Sequence, residues 1–239
     1  MDSTGRIWVA LDTTKDKALE IAERVAGHPA VRGFKANRLV DQEVFRPDGD
    51  SRLFDVLASF GKPAWADLKL IDIPETVSGR IEPYVQAGGV GFITVMAKGE
   101  VDMMMAAVKA GGDRLSIIAV TELTSLSEEQ VHLGSGNPAK ASVINLARLA
   151  VLSGVKHLVC SGQELEVLAK RPELVSLVKF VPALSPAWSF GAGADQNRVT
   201  ALATALKNGA SAAVIGRVII NAKDPLEAIK MTAGEIEAI

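Results

Sequence analysis

Short apolar runs of strand length alternate with longer segments of helical periodicity from one end of the chain to the other. This alternation limits the fold more than any other feature. The first run, Ile7-Trp8-Val9-Ala10-Leu11, is followed by a segment carrying Ala18, Ile21, Ala22 and Val25 at helical spacing, with Thr13 or Thr14 available as its cap. Strand then helix, repeated, argues for βα units around a parallel sheet. Strand starts recur roughly every 25 to 35 residues, the length of one such unit. Eight units fit into 239 residues, which favours an α/β architecture closed as a (β/α)8 TIM barrel, a single domain over residues 1–239, rather than an open sheet.

The remaining strands are expected at Val31–Asn37, in the charged stretch after Pro63, and at Gly91–Met96, Leu115–Thr121, Leu158–Cys160, Val178–Pro182 and Ala212–Ile215. The second is short and mixed. Gly61-Lys62-Pro63 breaks the chain before the third, and Gly88-Gly89 and Gly111-Gly112 mark later helix ends. Met103-Met104-Met105 lies in a helical segment without His or Cys nearby, so it reads as packing rather than a soft-metal site. After the seventh strand, Ser185–Asp195 reads as a long glycine-bearing loop suited to a mobile flap, with a helix starting near Gln196.

Composition removes several function classes. A formal charge of −2, without a basic run interleaved with aromatics, gives no sign of a nucleic acid partner. No apolar run approaches the ~20 residues that span a bilayer, and the N-terminus lacks a basic segment leading into an apolar one, so a cytoplasmic protein with no membrane partner is expected. Cys160 is the lone cysteine, which rules out an internal disulfide or a thiolate metal site, and its apolar neighbours mark it as a buried strand thiol. His28, His132 and His157 are scattered without ligand spacing.

The chemistry concentrates in Trp65-Ala66-Asp67-Leu68-Lys69-Leu70-Ile71-Asp72-Ile73-Pro74-Glu75-Thr76. Side chains two apart on a strand share a face, so Asp67 and Lys69 project together beside Trp65, while Leu68 and Leu70 face the other way. Pro74 disfavours helix at Ile73 and suits a helical first turn, which leaves Asp72 in the loop at the strand's C-terminal end. Parallel α/β proteins keep their sites at that end. A buried ion pair with Asp72 as a helix cap would be the structural explanation. Three charges within six residues favour function, because buried charges are costly and a buried pair adds little stability. Asp12 ends the first strand and is either a cap or a site residue, while Lys35 near the end of the second is either a surface lysine or a site residue. Gly216-Arg217 follows the eighth strand, where barrels often bind phosphate: glycine admits close backbone approach, and arginine offers a fixed cation with a planar donor fork.

Asp67-x-Lys69-x-x-Asp72-Ile73-Pro74-x-Thr76 resembles the signature of the orotidine 5'-phosphate decarboxylase family. The likeness continues in order at Leu11-Asp12, Lys35, Leu123-Thr124-Ser125, Cys160-Ser161-x-Gln163-Glu164, Ser185-Pro186, Asp195-Gln196-x-Arg198 and Ile215-Gly216-Arg217-x-Ile219, nearly the whole chain. It implies conversion of orotidine 5'-phosphate (OMP) to UMP and CO2 without metal or organic cofactor. Lys69 would protonate C6, with Asp67 against the substrate carboxylate and Lys35 and Asp72 completing a row of alternating charges. Asp12 and Lys35 would bind ribose, Thr124 the pyrimidine, and Gln196, Gly216 and Arg217 the phosphate, with Ile73 and Pro186 also at the substrate. Asp72 and Thr76 would come from a second subunit, which implies a homodimer with shared sites.

The chain departs from the family's pattern at three places. Asn37 stands where glycine is frequent, Met96 where histidine is, and Ser185-Pro186-Ala187-Trp188-Ser189 where the seventh loop commonly begins Thr-Pro-Gly-Ile-Arg, so Ser189 replaces an arginine that contacts phosphate in many members. That loop also reads as shorter than usual. Trp188 and Phe190 either stack on ligand or shield it. The Asp-x-Lys-x-x-Asp core is shared with sugar-phosphate enzymes on the same scaffold, which generally need a divalent metal. A catalytically silent nucleotide-binding protein is the second alternative.

Overall fold

The structure, a computed structural model, describes residues 1–40, 53–189 and 199–239. Eight parallel strands close into a barrel: β1 (Ile7–Ala10), β2 (Val31–Ala36), β3 (Ala64–Leu70), β4 (Val90–Met96), β5 (Ser116–Val120), β6 (His157–Val159), β7 (Val178–Val181) and β8 (Ala212–Ile215). Closure comes where β1 pairs with β8, Trp8 opposite Val214 and Val9 opposite Ile215. All eight lie where the apolar runs place them.

The pleat sorts each strand's residues into two cores. Ile7, Val9 and Leu11 point outward and pack in one cluster with Ala18, Ile21, Ala22 and Val25 of the helix Lys15–Ala26. Trp8 and Ala10 point inward with Trp65, Ile118, Val120, Val159, Phe180 and Val214. The lower part of this interior is aromatic. Trp8 meets Trp65, Phe92 and Phe180 edge-on at ring-centroid distances of 5.6, 5.2 and 5.8 Å, and His157 stacks on Phe180 at 5.7 Å. Burial pushes the His157 imidazole below its ordinary pKa, which suits a neutral ring in an apolar plug.

Room for Trp8 explains why the second strand reads as mixed. A Cβ on Gly33 would collide with the Trp8 ring and the Pro63 carbonyl oxygen, so the inward position of β2 beside the indole has to be glycine. Of the three consecutive methionines, Met103 and Met104 are buried as packing residues, whereas Met105 is 52% exposed on the outer face of its helix.

The start of the seventh loop is anchored to the rest of the fold. Leu184–Ser185 pairs in parallel with Thr200–Ala201, and Ala187–Ser189 forms a 3-10 turn. That turn is fastened to the final helix, Pro225–Glu237: the Ala187 N–H donates to Glu235 Oε2 at 2.7 Å and the Trp188 indole N–H to Thr232 Oγ1 at 3.3 Å. These contacts join segments more than forty positions apart, which local composition does not announce. Phe190–Asp195 and Gln196, with the helix start expected there, lie outside the described residues; the described helix spans Leu202–Lys207. Among the described residues no helix is long and apolar enough to cross a membrane.

Candidate active site

Continuing each inward row past the aromatic plug replaces apolar side chains by charged ones. Trp8 and Ala10 lead to Asp12, Gly33 leads to Lys35, and Trp65 leads to Asp67 and Lys69. These side chains line a cavity of about 550 Å³ at the C-terminal ends of the strands, a size suited to a small-molecule ligand. Thr124, Gly216 and Arg217 line the same cavity from the loops after β5 and β8.

The charges alternate along one wall. Lys35 Nζ lies 3.6 Å from Asp12 Oδ2 and 3.0 Å from Asp67 Oδ2, and Lys69 Nζ lies 2.8 Å from the same Asp67 oxygen. Burial alone would raise the Asp67 carboxyl, but the two ammoniums outweigh it and hold the pKa below the ordinary carboxylate value. Burial likewise works against the Lys35 ammonium, and Asp67 and Asp12 overcome it to hold the pKa above its usual value. Asp12 does not cap the following helix, whose N-cap position is Thr14; it faces Lys35.

The backbone under Lys69 is not the regular strand that a period of two assumes. Ala66 pairs with Ile93 and Leu70 with Val95, so Asp67, Leu68 and Lys69 all stand opposite Thr94 alone. Within this bulge Lys69 has φ of 50°, a left-handed conformation that costs a non-glycine residue roughly 1–3 kcal/mol. Side chains of both neighbouring strands supply what the broken ladder lacks. The fully buried Thr94 hydroxyl accepts the Lys69 N–H at 3.0 Å and donates to Asp67 Oδ1 at 2.9 Å. Just beyond β2, Asn37 Nδ2 donates to the Asp67 carbonyl at 2.6 Å.

Other expected site residues do not line the cavity. Asp72 and Ile73 are exposed in the loop after β3, Ile73 at 63%, and Thr76 is half-buried in the first turn of the helix Pro74–Ala87. Pro74 takes the first helical turn as expected; the N-cap is Ile73 rather than Asp72, whose Oδ1 accepts the Ile73 N–H at 2.7 Å. Pro186 is buried under the rim, where its carbonyl accepts the Ser189 hydroxyl at 2.9 Å, while its neighbour Ser185 reaches the cavity. Gln196 lies outside the described residues.

Thr94 and Glu122 were not among the residues expected at the site. Thr94 occupies the inward face of β4 between Phe92 and Met96, so the period of two could have marked it as a polar residue aimed inward. Glu122 lines the cavity and is only 2% exposed; Lys98, paired with it at 2.8 Å, and the Ser142 hydroxyl, which donates to it at 2.7 Å, offset the burial of its charge.

Comparison with known proteins places this geometry. The family model described as orotidine 5'-phosphate decarboxylase / HUMPS family matches residues 5–232. The chain belongs to that family. Among curated relatives, orotidine 5'-phosphate decarboxylase of Anaeromyxobacter dehalogenans is 36% identical over 238 residues, covering 98% of this chain and 99% of its own, and that of Paramagnetospirillum magneticum is 37% identical over 246 residues, covering 97% of each. The crystal structure of orotidine 5'-phosphate decarboxylase from Lactobacillus acidophilus superposes with a TM-score of 0.75 at 25% identity, covering 96% of this chain and 98% of that one. Within the decarboxylase family pattern, two departures now have structural descriptions: Asn37 braces the Asp67 carbonyl, and Ser189 is buried with its hydroxyl turned to Pro186.

Proposed function

We propose that this protein decarboxylates orotidine 5'-phosphate to UMP, with Lys69 delivering the proton to C6. The observation that carries this reading is the unbroken sequence of contacts Asp12, Lys35, Asp67, Lys69 along one wall of the cavity. As the bond from C6 to the carboxyl carbon breaks, CO2 leaves and the electron pair stays on C6, where the ring gives little resonance stabilisation. An ammonium held there stabilises the developing charge and then quenches it. Asp67, kept ionised by two ammoniums, faces the substrate carboxylate. Their repulsion falls as the carboxylate becomes neutral CO2, so the interaction favours the transition state over the ground state.

Charge at one point does not suffice. At ~4 Å and an effective dielectric of ~20, one full charge contact is worth about 4 kcal/mol, whereas enzymatic accelerations draw on about 8 to 23 kcal/mol. Remote binding energy has to hold the base against Lys69, which is the role of a phosphate anchor at Gly216 and Arg217. Gly216 packs closely against β1, where a Cβ would lie 3.3 Å from that of Ala10, and it lines the cavity beside Arg217. Asp12 and Lys35 hold the ribose and Thr124 the pyrimidine in this reading, with Ile73, Pro186 and Gln196 as further contacts. A cytoplasmic location belongs to the same proposal.

A divalent cation, as used by the sugar-phosphate relatives, is poorly suited to this wall. Asp67 Oδ2 is taken by Lys35 and Lys69 and Oδ1 by the Thr94 hydroxyl, and a metal ion would meet two ammoniums. The deciding experiment is to follow the loss of OMP absorbance with purified protein in excess EDTA. Turnover undiminished by the chelator is expected, and activity that disappears and returns with Mg2+ would overturn the reading.

Asp72 and Thr76, outside the cavity of their own barrel, are proposed to complete the site of a second subunit in a homodimer. Exposed Ile71 and Ile73 flank Asp72 and provide the apolar surface for such a contact. Mixing inactive Lys69→Ala and Asp72→Ala proteins is expected to restore about a quarter of wild-type activity, because half the dimers are mixed and each holds one intact site. No recovery after subunit exchange would place Asp72 outside any shared site.

A further inference from the structure

We infer that Thr94 is a positioning residue: its hydroxyl, bonded to both ends of the β3 bulge, holds Lys69 in the conformation that sets its ammonium on Asp67. The inference rests on the proposed role of Lys69 and adds how β4 enforces it. In a regular parallel pair, evenly spaced backbone bonds from alternate residues would join β4 to β3. Opposite the bulge the register slips, and the Thr94 side chain bonds Lys69 and Asp67 there. The Thr94 hydroxyl has one proton and two lone pairs. The proton goes to Asp67 Oδ1, and a lone pair receives the Lys69 N–H.

One group therefore fixes the carboxylate and the main chain of the lysine relative to one another. Its own freedom is small, because Thr94 is fully buried and its branched Cβ restricts rotation. Without the hydroxyl, the Lys69 N–H and Asp67 Oδ1 are left without that partner in a buried place, and the left-handed turn loses the bond that opposes its strain. Asn37 braces the Asp67 carbonyl from the opposite strand, but it makes no bond to Lys69 that could substitute.

The test compares Thr94→Val, which keeps the shape and removes the hydroxyl, with Thr94→Ser, which keeps the hydroxyl. For a displacement of the reacting ammonium on the order of 1 Å, Thr94→Val should lose about 100-fold in kcat. KM for OMP should stay within about 3-fold, since phosphate and ribose contacts are untouched. Thr94→Ser should recover kcat to within about 5-fold of wild type, a rescue that lost packing alone would not give. The crystal structure of Thr94→Val should show Lys69 out of the left-handed region and its Nζ off Asp67.

A wild-type kcat in Thr94→Val, or equal damage in Thr94→Ser, overturns the inference while leaving the decarboxylase reading intact. If the wild-type protein itself does not turn over OMP, that reading falls, and the Thr94→Val structure decides this inference alone: Lys69 unmoved overturns it. Should Thr94→Val fail to fold, Thr94→Cys, similar in size but a poor hydrogen-bonding partner, takes its place in both measurements.

Discussion

Lys69→Ala should lower kcat for OMP by at least about 10⁴-fold, the upper range for losing a positioned general acid, while UMP still binds. The two effects separate because the proposal sets the ammonium at C6, whereas Asp12, Thr124, Gly216 and Arg217, which also line the cavity, are left in place. Single-turnover kinetics against OMP measures the first effect, and calorimetric titration with UMP the second. Asp67 keeps a partner in this variant, since Lys35 remains 3.0 Å away, so the fold should survive. Wild-type turnover would remove Lys69 from the proton-donor role. Loss of UMP binding together with turnover would mean that the lysine holds the nucleotide rather than protonating it.

Asp67→Asn should be the most destabilising single change at the site. A neutral amide would leave two ammoniums, 2.8 and 3.0 Å away, without their shared counter-charge. Breaking a buried pair in this way costs about 3–5 kcal/mol, and the loss should depend on pH. The Asp67 pKa is depressed in the folded protein, so its contribution is present above the unfolded value of about 3.9 and disappears as pH falls through the folded value. Lys35 has a raised pKa, so its contribution is present below about 10.4 and is lost as pH rises through the folded value. The stability gap between wild type and Asp67→Asn in urea should therefore be widest at neutral pH and close under strong acid. A gap independent of pH would attribute the loss to packing.

Sequence periodicity carried the reading a long way along β1, β2 and β3. Asp12 and Lys35 are legible as charges at strand ends and Asp67 as the continuation of the Trp65 row, and all three reach one cavity with Lys69, although Lys69 arrives there through a bulge and not by the regular period of two. The same rule applied to β4 would have found Thr94, but a threonine in an apolar strand is common enough that its partners, not its position, mark it out. The bulge at Lys69 depends on how β3 and β4 align, and no local pattern in β3 encodes that alignment. The anchoring of the first residues of the seventh loop is hidden from the sequence for a related reason. Its glycines and serines suggest mobility, whereas Ala187 and Trp188 are held by Glu235 and Thr232 near the other end of the chain. Asp72 is exposed outside the cavity of its own barrel, and the role proposed for it in a second subunit leaves no trace there.

The interlocking rings of Trp8, Trp65, Phe92, His157 and Phe180 also set the traffic through the molecule. With that end stoppered, nothing passes along the axis, and the gas released by the reaction must depart through the same doorway that admits the nucleotide.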